Sequence, residues 1–183
     1  AGASGLASVA IPMAKAFGAR VITSVLSDEK AEKIKNLGAD KIINSSKENV
    51  EEILKSEEEN GTPVNVSMDC LSGETLGKSL PYMARGGYWI VISTLAGTET
   101  NILLRPLLTK GLHLVGSMLR NRTPEFKAHI LAELVKNVWP KIENGEIRPS
   151  IYKVLPIEQA AAAHAILERG ENVGKVVLEV FHE

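Results

Sequence analysis

Cysteine is almost absent from this sequence, since Cys70 is the only one among 183 residues. One thiol cannot form an internal disulfide, and it cannot supply several thiolates to a zinc ion within this chain. A chain without disulfides suits a reducing compartment, so we expect a cytoplasmic location. Cys70 ends an apolar strand pattern and is expected to be a small core residue rather than a reactive thiol.

Long apolar runs and an excess of one charge are also missing. No run reaches the roughly 20 residues that span a bilayer, and no signal-peptide pattern is present. The 21 Lys and Arg residues are interspersed with 22 Asp and Glu residues, so no basic stripe could follow a phosphate backbone. No two histidines have the spacing of metal ligands. We therefore expect neither a membrane, a nucleic-acid nor a metal function.

What the sequence does have is a regular alternation of helix and strand patterns. A helical apolar face from Leu6 to Phe17 ends at Gly18 and leads into the β-branched run from Val21 to Leu26. A second unit of the same kind runs through Leu37-Gly38-Ala39-Asp40. Further strands are predicted at 64–70, 88–92 and 112–118, and helices at 48–59, 74–83 and 124–144. The alternation predicts an α/β fold with a doubly wound parallel (Rossmann) sheet.

The pattern of predicted helices and strands changes after about residue 148. We predict a dinucleotide-binding domain over residues 1–148, completed by the helix at 124–144, and a C-terminal strand-helix-strand annex over residues 149–183. The annex comprises a strand at 151–155, an alanine-rich helix at 157–168 and a strand at 175–180. The helix at 124–144 is expected to bury one apolar face: Ile130, Leu131, Leu134, Val135 and Val138.

The first residues carry a glycine-rich motif. A dinucleotide fold opens with a strand, a glycine-rich turn and a helix whose free N–H groups hold the pyrophosphate. Residues 1–7 read Ala-Gly-Ala-Ser-Gly-Leu-Ala, with Ser4 in place of the middle glycine and Ala7 in place of the last. The motif alone is a weak signal, but the helix and strand after it favour cofactor binding. We expect the first strand of the sheet to be missing.

The end of the second predicted strand indicates which cofactor is used. An NAD-specific fold places an Asp or Glu there, on the ribose 2′-hydroxyl, whereas this chain has Val25 and Leu26. Ser24, Ser27 and Lys30 offer hydroxyls and an ammonium that suit a 2′-phosphate. We therefore expect NADPH, the alternative being that Lys30 is only a solvated helix residue.

A short-chain dehydrogenase is the nearest rival among cofactor-binding folds, and it requires a Tyr-x-x-x-Lys pair for proton transfer. The residues four positions after the three tyrosines are Gly86, Ile92 and Pro156. The sequence therefore excludes that class.

Taken together, these motifs resemble the medium-chain dehydrogenases/reductases of the NADPH:quinone oxidoreductase (zeta-crystallin-like) type, and among them the tumour-suppressor-inducible branch. The resemblance covers nearly the whole chain, and its most specific motifs are Ser-Met-Leu-Arg-Asn-Arg at 117–122 and Asn-Val-Gly-Lys at 172–175. It implies hydride transfer from NADPH to a quinone or similar activated acceptor, without a metal and with no catalytic side chain, since the protein mainly orients the nicotinamide.

The resemblance also implies the cofactor-binding residues. Those expected at the pyrophosphate are Ala3, Ser4, Gly5 and Leu6, with Lys30 at the 2′-phosphate, Ser45 on the adenine side and Lys175 as a further contact. Those expected at the nicotinamide are Leu71, Ser93, Leu95, Ser117, Met118 and Leu119. Three departures from the family, Ala7, Pro12 and Ser45, are expected to weaken cofactor affinity.

Relatives of this type carry an N-terminal barrel-like domain that this sequence lacks, so we expect a fragment that holds at most half of the active cleft and is inactive alone. Two alternatives stay open: an enoyl-thioester reductase of the same fold, and a non-catalytic NADPH-binding module. Such relatives form dimers, and the predicted strand from Leu112 to Met118 is the last of the parallel series. We expect a homodimer through it, because an edge strand presents unpaired backbone groups.

Overall fold

The structure, a computed structural model, describes residues 1–180, and the chain divides into two compact units. The first unit consists of residues 1–46 together with the chain from Ala128 onward, and the second of residues 47–127. The strands of the described residues are β1 (Ile22–Val25), β2 (Lys41–Asn44), β3 (Val66–Asp69), β4 (Tyr88–Val91), β5 (His113–Gly116), β6 (Ile151–Pro156) and β7 (Lys175–Glu179).

The α-helices of the same residues are α1 (Ala7–Ala16), α2 (Asp28–Lys33), α3 (Val50–Glu59), α4 (Gly73–Ser79), α5 (Leu104–Lys110), α6 (Pro124–Asn137), α7 (Trp139–Glu143) and α8 (Ala160–Glu168). Short 3₁₀ turns extend α2, α4 and the start of α8. Between residues 1 and 180, no helix combines the length and apolar character needed to cross a membrane.

The first unit is built on two small parallel sheets. In one, β1 pairs with β2, and Ile22 lies opposite Lys41. Its core is formed by side chains from the glycine-rich loop, α1, β1, the region of α2 and the segment before β7: Ala3, Ile11, Val25, Ile34, Leu37 and Val173. In the other sheet β6 pairs with β7, and α8 buries Ala163 and Ile166 against it. Val173 therefore joins the predicted annex to the core beneath the glycine-rich loop.

The second unit contains a three-stranded parallel sheet of order β3-β4-β5. Helix α4 and the turn after it pack on β4 through an apolar cluster of Leu76, Leu80, Met83, Trp89 and Leu112. Burying one side chain of this size contributes roughly 1.5–3 kcal/mol, so the cluster holds α4 on the sheet. Strand β5 lies at the sheet edge, as the sequence predicts for the last strand of the series.

The strand order confirms the doubly wound prediction, except that β1 to β5 form two sheets where one sheet was expected. The general dinucleotide-binding fold has the strand order 3-2-1-4-5-6. In that order, strands 3 and 2 lie on one side of the first strand, and strands 4, 5 and 6 lie on the other. The orders β2-β1 and β3-β4-β5 match these two groups, and residues 1–180 contain no counterpart of the first strand. The two groups are therefore separate parallel sheets, because no described strand hydrogen-bonds to both.

The prediction for the helix at 124–144 is wrong in two respects. It is interrupted at Val138, between α6 and α7, because Pro140 lacks an N–H group and its ring clashes with the carbonyl four residues earlier. Three of the residues expected in the core are exposed, namely Ile130, Leu131 and Val135, while Leu134 and Val138 are half-buried. Helix α5 was not predicted, because Pro106 and its three leucines do not give one clear apolar face.

Candidate functional site

The glycine-rich loop is fixed to β1 at Gly2. Its N–H donates to the carbonyl of Ser24 at 2.6 Å. A Cβ on Gly2 would lie 2.5 Å from the Thr23 hydroxyl oxygen and 3.1 Å from the Ser24 carbonyl oxygen. Only glycine allows this approach. The first glycine of the motif therefore has the close backbone contact that a dinucleotide loop requires.

The same loop leads directly into α1. The Ser4 hydroxyl accepts a hydrogen bond from the Ala7 N–H at 3.1 Å, and the Ser8 hydroxyl donates to the Gly5 carbonyl at 3.0 Å. Ser4 thus stabilises the turn where the motif departs from glycine. Helix α1 has ten residues, and the free N–H groups at its N-terminus carry a partial positive charge. This charge favours an anion beside Gly5.

Lys175 adds a full positive charge to this loop. A Cβ on Gly5 would lie 2.8 Å from its Cδ and 3.3 Å from its Nζ, so the side chain lies across the glycine. The first residues of β7 are held in place because the Gly174 N–H donates to the Ala3 carbonyl at 3.0 Å and the Lys175 N–H to the Ser150 carbonyl at 2.8 Å. The start of β7 therefore lies beside Ala3 and Gly5, two of the residues predicted at the pyrophosphate, and the role of Lys175 toward a cofactor stays a prediction.

The residues predicted at the 2′-phosphate lie where β1 meets α2. Ser27 is the N-cap of α2 and accepts a hydrogen bond from the Lys30 N–H at 3.2 Å. The Lys30 side chain is half-buried, and its Nζ lies 3.7 Å from the position that a Cβ would take on Gly170. Ser45, at the end of β2, donates its hydroxyl to the Val25 carbonyl at 3.0 Å. Ser27, Lys30 and Ser45 therefore lie at the carboxyl ends of β1 and β2.

Two carboxylates share this turn, and both have partners. Glu29 accepts a hydrogen bond from the Lys33 ammonium at 2.5 Å, which lowers the pKa of Glu29. Asp28 accepts one from the Asn44 amide at 2.5 Å. The Asn44 contact was not predicted, because it depends on the register of β1 and β2 rather than on sequence spacing.

In the second unit, the predicted nicotinamide residues lie on turns after β3 and β4. The Asp69 carboxylate accepts hydrogen bonds from the Leu71 and Ser72 N–H groups at 2.8 and 3.0 Å. The Ala96 N–H donates to the Leu71 carbonyl at 2.8 Å, and the Ser72 hydroxyl donates to the Ser93 carbonyl at 3.0 Å. One backbone and one side-chain hydrogen bond therefore connect the turn that carries Leu71 with the turn that carries Ser93 and Leu95.

The third predicted turn follows β5. The Ser117 N–H donates to the Val91 carbonyl at 2.9 Å, which places Ser117 beside the end of β4. Leu95, Met118 and Leu119 are each more than half exposed, at 76%, 61% and 54%. These turns present apolar side chains and no acidic or basic group among the predicted residues, so they could pack against a flat ring but could not transfer a proton.

The described residues do not fit a metal site. Within residues 1–180, no group of three or more His, Cys, Asp or Glu side chains is placed to hold a metal ion. The glycine-rich loop fits a dinucleotide better, because Gly2 lies too close to Thr23 and Ser24 to carry a side chain and because the Lys175 side chain lies beside Gly5.

Comparison with known proteins gives a consistent family. Residues 5–136 match the family model described as zinc-binding dehydrogenase. A quinone oxidoreductase from Sus scrofa is 30% identical over 180 residues, which are 97% of this chain and 52% of that protein. An NAD-dependent alcohol dehydrogenase from Sulfolobus acidocaldarius is 32% identical over 178 residues, which are 96% and 48% of the two chains.

Among solved structures, a mycobacterial protein complexed with NADPH has a TM-score of 0.77 at 27% identity, and the match covers 97% of this chain and 55% of that one. The chain spans about half the length of the curated relatives it matches.

Proposed function

The chain belongs to the zinc-binding dehydrogenase family, and on that premise we propose that it is the cofactor-binding portion of an oxidoreductase that transfers hydride from NADPH to quinones or similar activated acceptors. The observation that carries this proposal is the glycine-rich loop, which is fixed to β1 at Gly2 and crossed by Lys175. A helix N-terminus and an ammonium at one glycine turn suit a pyrophosphate. A nicotinamide cofactor, when bound, supplies the hydride.

The adenosine end of the cofactor is proposed to lie at the carboxyl ends of β1 and β2. There Lys30 would pair with the 2′-phosphate, while Ser24, Ser27 and Ser45 would offer hydroxyl groups. The Lys33 ammonium offsets the charge of Glu29, so this acid opposes a phosphate less than a free carboxylate would. This supports NADPH over NADH, although one relative is named as NAD-dependent.

The nicotinamide end is proposed to lie against Leu71, Ser93, Leu95 and the turn at 117–119. Their role would be to orient the ring and exclude water, because none of these side chains can act as an acid or base. A quinone suits such a site, since the hydroquinone anion that forms by hydride transfer can take its proton from water. The relative named quinone oxidoreductase is consistent with this acceptor class.

We also propose that the protein is a homodimer joined through the strand from Leu112 to Met118. The edge position of β5 and the partial exposure of Leu114 and Val115, at 41% and 39%, support a backbone-paired contact there.

The decisive experiment uses the protein made from its complete reading frame, with the 183-residue chain in parallel. We expect the complete protein to oxidise NADPH with 1,2- and 1,4-quinones, and the 183-residue chain to bind NADPH weakly without turnover. NADPH oxidation with an enoyl thioester but with no quinone would favour the enoyl-thioester reductase instead. NADPH binding without turnover of either acceptor class would indicate a non-catalytic module.

A further inference from the structure

The side chain of Asp69, the last residue of β3, accepts three hydrogen bonds, and none of them belongs to the pairing between strands. One carboxylate oxygen accepts from the Leu71 and Ser72 N–H groups at 2.8 and 3.0 Å. The other accepts from the indole N–H of Trp89 at 2.9 Å. Trp89 is 5% exposed and belongs to the core of the second unit. The carboxylate therefore ties a turn at the surface to a buried, rigid ring.

The turn that Asp69 holds is strained. Ser72 has φ +58° and ψ −137°, and it is the one residue other than glycine with positive φ between residues 1 and 180. Such a conformation persists only where surrounding contacts over-determine it. Two of these contacts are the hydrogen bonds that the Leu71 and Ser72 N–H groups donate to Asp69. A third is the hydrogen bond from the Ser72 hydroxyl to the Ser93 carbonyl at 3.0 Å.

The strained turn in turn holds the second predicted nicotinamide turn. The Leu95 N–H donates to the Cys70 carbonyl at 3.1 Å, and the Ala96 N–H donates to the Leu71 carbonyl at 2.8 Å. Displacement of residues 70–72 would therefore also release residues 93–96. Asp69 is the one ionisable side chain that hydrogen-bonds to this pair of turns among the contacts of the described residues.

We propose that Asp69 is a positioning residue for the nicotinamide: it does not touch the cofactor but holds Leu71, Ser93 and Leu95 in the arrangement that orients the ring. This inference rests on the proposed function. A carboxylate is needed because all three partners are donors. An asparagine would present an NH₂ group either to the indole N–H or to the two turn amides, and two donors repel each other.

The test compares two ligands on the protein made from its complete reading frame. NADPH carries the nicotinamide ring, whereas 2′,5′-ADP lacks it. For Asp69→Asn we expect the calorimetric Kd of NADPH to rise about tenfold. The Kd of 2′,5′-ADP should stay within about twofold. With a quinone, kcat should fall more than the acceptor KM changes, because a misplaced ring is bound but poorly aligned.

The matched control is Leu54→Val, which trims a buried side chain of α3 in the same unit, outside the cluster that contains Trp89 and away from the turns. It should lower the melting temperature while keeping the ratio of the two Kd values. If Asp69→Asn does not fold, Asp69→Glu serves instead, because it keeps the charge but moves the oxygens away from the two turn amides.

A parallel loss of both ligands in the folded variant, or an unchanged ratio of Kd values, would overturn the inference. Failure of the unaltered protein to bind NADPH would instead overturn the proposed function, so the two failures are distinguishable.

Discussion

Lys30 is the residue on which the choice between NADPH and NADH is expected to depend. Its neighbour Glu29 is paired with Lys33, so the Lys30 ammonium is available to a phosphate at the end of β1. We predict that Lys30→Ala in the complete protein weakens NADPH binding roughly ten- to hundredfold and leaves NADH binding unchanged. A charge-assisted hydrogen bond contributes about 1.5 to 3 kcal/mol, which corresponds to that range.

The matched control is Lys35→Ala, since this exposed lysine follows the same helix but pairs with Glu32 rather than with Glu29. Titration with both cofactors, followed by cofactor fluorescence, measures the two constants. Equal weakening of NADPH and NADH by Lys30→Ala, or no change in either, would show that Lys30 is only a solvated helix residue.

Asp40 is expected to make the first unit sensitive to acid. Its carboxylate accepts from the Lys15 ammonium at 2.8 Å and from the Val21 N–H at 2.7 Å, and both contacts lower the pKa of Asp40. A carboxylate with a lowered pKa stabilises the folded state above the pKa of the unfolded chain, and that stability is lost as the pH falls through the lower, folded value. The contribution should therefore be complete near neutrality and begin to be lost below about pH 4.

We predict that the melting temperature of the unaltered chain exceeds that of Asp40→Asn at about pH 7, and that the difference shrinks as the pH falls below about 4. Thermal unfolding followed by circular dichroism across this range measures the difference. Glu143→Gln, at an exposed position of the same unit, is the control for loss of one charge. A difference that stays constant with pH would mean that Asp40 contributes through packing alone.

At the scale of elements, the start of β7 depends on one glycine. Gly174 has φ +92°, and a Cβ there would lie 2.3 Å from the Ser150 carbonyl oxygen, which accepts the Lys175 N–H. Gly18 also has positive φ, at +78°, but no atom lies within 4 Å of its Cβ position. The two positions therefore separate the cost of the backbone conformation from the cost of a steric clash.

We predict that Gly18→Ala lowers the free energy of unfolding by about 1 kcal/mol and that Gly174→Ala lowers it by at least about 2 kcal/mol more. Urea denaturation of the two variants measures both values. Because the Gly174 N–H also donates to Ala3 in the glycine-rich loop, Gly174→Ala should weaken NADPH binding as well. Similar losses of stability in both variants would contradict the close approach of Gly174 and Ser150.

Local signals predicted several elements correctly, because their causes lie within a few residues of chain. Ser27 caps α2 as the Ser-Asp-Glu pattern indicates, and α1 ends just before Gly18. The interruption at Val138 was missed even though Pro140 is visible in the sequence, because the apolar spacing on either side of it stays helical. Asn44 and Asp69 were missed for a different reason, since their partners are brought near them by strand register and turn geometry.

At the scale of the whole molecule, the proposed dimer depends on the free edge of β5. The N–H groups of His113 and Ser117 donate to the carbonyls of Gly87 and Val91, on the side of β5 that faces β4. Because successive residues of a strand alternate in direction, the Leu114 N–H points toward the open edge. We predict that Leu114→Pro, which removes this donor, converts a dimer of the complete protein into monomers. Leu114→Ala keeps the donor and should stay dimeric.

Multi-angle light scattering at tens of micromolar distinguishes the two states. A monomer in the unaltered complete protein would refute the dimer, whereas a dimer that survives Leu114→Pro would place the contact elsewhere than the β5 edge.

The sequence by itself determined the class of fold, because helix and strand periodicities and the glycines between them are local properties of the chain. It also predicted the dinucleotide loop, since the spacing of its glycines is a property of the local sequence. Only the tertiary structure decided that Lys175 lies across Gly5, that Asp69 links Trp89 to the turn at Leu71, and that β1-β2 and β3-β4-β5 are separate sheets. These features join residues 20 to 170 positions apart, and such contacts depend on which strands pair and which side chains pack rather than on any neighbouring sequence.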